Sequence, residues 1–86
     1  MYNIIMLYIN KLNEEDINKF ALSKNIVLNE EELLFTYNFI KKNAGTILKN
    51  PSTFDIEKYK DFYSPDTFSK IKKVFNEYLR LYSHYL

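Results

Sequence analysis

Cysteine is missing from the 86-residue chain, which excludes a disulfide framework and any thiolate metal site. A domain this small in an oxidising compartment usually carries such staples, so the expected compartment is the reducing cytoplasm. A single glycine, Gly45, leaves no material for a phosphate-cradling loop, a dinucleotide fingerprint or a Gly-x-Ser-x-Gly elbow. Only one histidine, His84, and one arginine, Arg80, are present. Long hydrophobic runs are lacking as well: the first nine residues are apolar except Asn3, far short of the ~20 that cross a bilayer. No basic segment precedes them and no small-residue cleavage site follows, so neither a membrane span nor a secretory signal is expected.

What is there suits a packed helical interior. Hydrophobic residues make up 47% of the chain, too much for a disordered segment. At this length only about 60–65% of the unfolded surface can be buried, so one domain over residues 1–86 is the limit. Twelve basic groups nearly balance eleven acids, which argues against a chain drawn to polyanions by bulk charge. The charges are unevenly placed, with three Lys and six acids in residues 1–40 against nine basic and five acidic groups in residues 41–86.

Helix punctuation recurs. Leu12-Asn13-Glu14-Glu15-Asp16-Ile17 and Leu28-Asn29-Glu30-Glu31-Glu32-Leu33 each put Asn at the N-cap, acids in the first turn and apolar residues at staple positions. Asn25, between them, suits a left-handed position after a helix end. Leu33, Tyr37, Ile40, Ala44 and Ile47 recur at helical spacing. Gly45 favours a break or kink there, with Asn50-Pro51 the end in either case. Residues 52–63 hold a short helix capped by Ser52 or Asp55, with Phe54, Tyr59 and Phe62 as buried anchors. Ser64-Pro65-Asp66-Thr67 starts the last helix, and Tyr63 is placed to staple Phe68. Along it Phe68, Ile71, Phe75, Tyr78, Tyr82 and Tyr85 form a stripe widened by Val74, Leu79, Leu81 and Leu86. The apolar stretch from Tyr2 to Asn10 has no strand to pair with and reads as a helix held between the others. The expected fold is all-α, a compact bundle of four to five helices over about 3–11, 14–24, 30–43 with an extension to 49, 55–62 and 65–83.

No constellation points to catalysis, a metal or a cofactor. The acid triplets sit in first turns, where the helix dipole accounts for them, and the Glu-x-x-His partners of bundle carboxylate sites are missing. His84 stands near the last residue with no acid or nucleophile beside it in sequence, so the chain is expected not to be an enzyme. Two binding surfaces remain. Lys58, Lys60, Lys70, Lys72, Lys73 and Arg80, among several tyrosines, have the composition of a nucleic-acid footprint, although charge patterns more often serve solubility. Eight Tyr and seven Phe exceed what a core this size hides, and Tyr78, Leu81, Tyr82 and Tyr85 are the expected partner patch.

The segment Asn10-Lys11-Leu12, the run from Asp16-Ile17 to Phe20-Ala21, the connection Ile26-Val27-Leu28 and the start Ser64-Pro65-Asp66-Thr67 together resemble the YqfT-like small bacterial proteins, a domain-of-unknown-function family. The resemblance spans most of residues 3–82 and departs over 43–58. It implies a cytoplasmic helical protein with no assigned activity, cofactor or site residue. The leading expectation is thus a non-enzymatic helical interaction module whose partner is another protein or a second copy, engaged through the aromatic end of the last helix. An accessory nucleic-acid binder using the lysine-rich second half is the alternative.

Overall fold

The computed structural model describes residues 2–83, which are all-α as the patterning predicts. In chain order α1 is Tyr2–Lys11, α2 Glu14–Ser23 and α3 Glu30–Lys49; 3-10 helices Pro51–Thr53 and Ile56–Phe62 follow, then α4, Pro65–Ser83. Contacts divide the chain into two units, Met1–Phe54 and Asp55–Leu86.

In the first unit both short helices pack on α3. Local chemistry sets their ends. Asn13 accepts from the Asp16 amide at 2.8 Å while the Asp16 carboxylate accepts from the Asn13 amide at 3.0 Å. Asn29 and Glu32 repeat this reciprocal pair at the start of α3, also at 2.8 and 3.0 Å. Each pair satisfies donors that a helix start otherwise leaves open. At the end of α2 the Ile26 amide donates to Ala21 O and the Asn25 amide to Leu22 O. This is a complete Schellman ending, with Asn25 left-handed at φ 61 and the flanking Ala21 and Ile26 both buried. Ile17, Ala21, Ile26 and Ile47 are the buried apolar residues of this unit.

One interaction here has no local signal. Lys41, in the middle of α3, reaches the end of α1 and donates from Nζ to Ile9 O at 2.9 Å and Asn10 O at 2.7 Å. The ammonium also lies 5.6 Å from the centre of the Tyr37 ring. Ile9 O also accepts from the Leu12 amide at 3.1 Å, and the cation on these last carbonyls complements the negative end of α1 and ties it to α3.

The expected break at Gly45 is absent. α3 runs unbroken to Lys49, and no glycine has a positive φ. Gly45 is half-buried in a helix on which α1, α2 and the first 3-10 segment all pack, and that packing outweighs the ~1 kcal/mol propensity penalty. Phe54 closes the unit against Phe39, ring centres 5.5 Å apart.

In the second unit the short helix is 3-10 rather than α, capped by Asp55, which accepts from the Glu57 amide at 3.0 Å. Ser52 does not cap it, being inside the preceding 3-10 helix. Of the expected buried anchors Tyr59 is only half-buried and Phe62, three positions on with its ring beside that of Tyr59, is 55% exposed. Ser64 caps α4: its hydroxyl accepts from the Thr67 amide at 3.3 Å and donates to the Thr67 hydroxyl at 2.8 Å. Tyr63 and Phe68 meet across this start with ring centres 6.5 Å apart.

Two outcomes test this account. Gly45→Ala should raise stability by about 0.5–1 kcal/mol, measured as a higher thermal midpoint; a loss would mean that the site cannot take a methyl group. Lys41→Met should cost about 1–3 kcal/mol and speed amide exchange in α1 more than in α2.

Candidate interaction surfaces

The sequence-predicted partner patch is partly on view. On α4, Tyr78 is 46% and Leu81 53% exposed, three positions apart on neighbouring turns. Tyr85 and His84 lie outside the described residues, as does the Tyr82 side chain. Earlier on this helix Phe68 is buried and Ile71, Val74, Phe75 and Leu79 are half-buried, so the expected stripe faces inward over its first part.

The lysines do not form an unopposed cationic field. Lys70 pairs with Asp66 at 3.4 Å, one turn back, and Lys72 pairs with Glu57 of the 3-10 helix. Lys60 and Lys72 line an open hollow of about 440 Å³, where Glu57 and Asp61 stand beside them over Tyr63 and Phe68. Two carboxylates there oppose two ammonium groups, an arrangement that offers a phosphate no net attraction. Lys58, Lys73 and Arg80 are exposed. No group of three or more potential ligands assembles for a metal ion among the described residues. The acid triplets lie where the helix starts use them: Glu14, Glu15, Glu30 and Glu31 are exposed, and Asp16 and Glu32 serve as caps.

The most exposed apolar face was not among the expected sites. α1 is expected to sit between other helices, yet Ile4, Leu7 and Tyr8 are 71%, 63% and 70% exposed. Positions i, i+3 and i+4 share one side of a helix. Ile5, Met6 and Ile9 are half-buried on the side that α3 covers, so α1 has two apolar sides and only one is used. No charged residue occurs in α1 before Lys11. The signal was in the sequence, as an apolar run with no polar side, but it reads equally as a buried helix.

No helix of the described residues is long and apolar enough to cross a membrane. Comparison with protein-family models, with curated proteins and with solved structures finds no match for the chain.

Because the Lys72–Glu57 partners are each nearly half exposed, at 45% and 46%, Glu57→Gln should lower stability by less than about 1 kcal/mol. The loss should vanish at high salt in urea titrations; a salt-independent loss would show that Glu57 does more than pair.

Proposed function

We propose that this chain is a small non-enzymatic interaction module that binds a protein partner through the outer side of α1. The observation that carries this reading is the grouping of Ile4, Leu7 and Tyr8, each about two-thirds exposed, on one side of one helix that carries no charge before Lys11. Scattered exposed apolar residues are ordinary on any protein, whereas a contiguous set marks a binding surface. Tyr8 adds the usual interface chemistry, an apolar ring with a hydroxyl that can stay wet at the rim.

Magnitudes support a docking surface of modest strength. Full burial of one such side chain is worth about 1.5–3 kcal/mol, so covering the exposed two-thirds of three supplies about 3–6 kcal/mol. Association costs about 4–15 kcal/mol in lost freedom, so the partner must contribute apolar area of its own. Tyr78 and Leu81 on α4 are a second, smaller patch.

The test is quantitative capture from a cell extract by the tagged chain, with Leu7→Glu and Leu81→Glu as paired variants of unchanged circular dichroism. Specific partners should be lost with Leu7→Glu and retained with Leu81→Glu. The opposite pattern would move the docking surface to α4, and capture insensitive to both would refute the proposal.

A further inference from the structure

We infer that the outer side of α1 takes a second copy of this chain, the two α1 helices lying antiparallel about a two-fold axis close to Leu7. This assignment rests on the docking face proposed above and names its occupant.

Charge and the number of exposed apolar side chains favour a copy. In a two-fold interface a face meets itself, so any charged group near its centre would meet its own like charge. Residues 2–10 carry no charge at all. Residues 1–54 contain six Lys and six acids, so two copies of this unit approach without net repulsion. A self-paired face also contributes six exposed apolar side chains where a flat polar partner would meet only three.

The antiparallel orientation follows from what flanks the row. Lys11 ends α1, and the exposed Glu14, Glu15 and Asp16 begin α2 directly after it. A parallel pair would set Lys11 against Lys11 and the two acid triplets against each other, whereas an antiparallel pair separates them. With Ile4 of one copy opposite Tyr8 of the other, the axis passes at position 6. Leu7 then lies about 3 Å from its symmetry mate along the helix, and Lys11 about 15 Å from its own. A contact limited to one ten-residue helix belongs to the class below about 1,200 Å² of total buried area, which is weak and reversible. The dimer should therefore form on concentrating the protein and dissociate on dilution.

The natural lack of cysteine makes a clean test. Full-length Leu7→Cys and Lys11→Cys variants are oxidised in parallel at matched concentration, since a disulfide needs Cα atoms within about 7 Å. Leu7→Cys should crosslink on the order of tenfold faster than Lys11→Cys. Light scattering of the natural chain should show mass rising with concentration, and Leu7→Glu, at a site already exposed, should abolish the rise while keeping the helical circular dichroism. Equal crosslinking of both cysteine variants would overturn the antiparallel assignment. A monomer at every concentration would overturn the second copy as occupant, and Leu7-dependent capture of another protein would then leave the docking face itself standing.

Discussion

A helix of ten residues does not hold itself together in water, because nucleation costs more than so few hydrogen bonds return. α1 and α2 are both of that length, so each needs a surface to lie on. α3 is that surface. Its twenty residues span about 30 Å, matching two ten-residue helices of about 15 Å each. α3 stays continuous through Gly45, and its last turns carry the buried Ile47. Lys41 stands near its middle, and there one side chain donates to two carbonyls at the end of α1 while its ammonium lies over the Tyr37 ring. The lysine thus adds to the local ending, in which the Leu12 amide donates to Ile9 O at 3.1 Å while Asn13 is committed to starting α2.

The second unit solves the same problem with fewer contacts. α4 is long enough to be cooperative, and its start is fixed three ways: by the Ser64 hydroxyl, by Pro65 in the first turn and by the Tyr63–Phe68 ring contact. The 3-10 helix before it packs on α4, and Glu57 pairs with Lys72 across that contact. Its tighter winding sets Tyr59 and Phe62 one above the other, with ring centres 6.4 Å apart and Phe62 at the exposed end.

Helix boundaries were legible in the sequence because their physics is local. Asn13 with Asp16, Asn29 with Glu32, Asn25 at its left-handed position and Ser64 with Thr67 each involve partners within a few positions of one another. The Lys41 contacts, by comparison, join residues 31 and 32 positions apart, and no pattern in either segment announces them. The free side of α1 was hidden for a related reason. An apolar stretch states that its side chains prefer burial, but how many of its sides are covered depends on how many other elements reach it, which is a property of the whole unit. The α4 patch was half legible: Tyr78 and Leu81 are exposed, while the stripe before them is covered.

The face on α1 follows from these constraints. Three elements pack on α3, and α1 spends one apolar side there. If the second side served no purpose, polar residues at positions 4, 7 and 8 would cost the fold little, since a helix held by α3 and by Lys41 does not need them. Val27 and Leu34, also exposed, differ in standing singly, Val27 in a loop and Leu34 after the acids that open α3. Ile4, Leu7 and Tyr8 instead stand together on one side of a helix. A chain too small to bury all its aromatic and aliphatic bulk must leave some outside; placing it together, on the helix whose docking to α3 is least local, makes the exposed part of the protein also the part whose position one lysine governs.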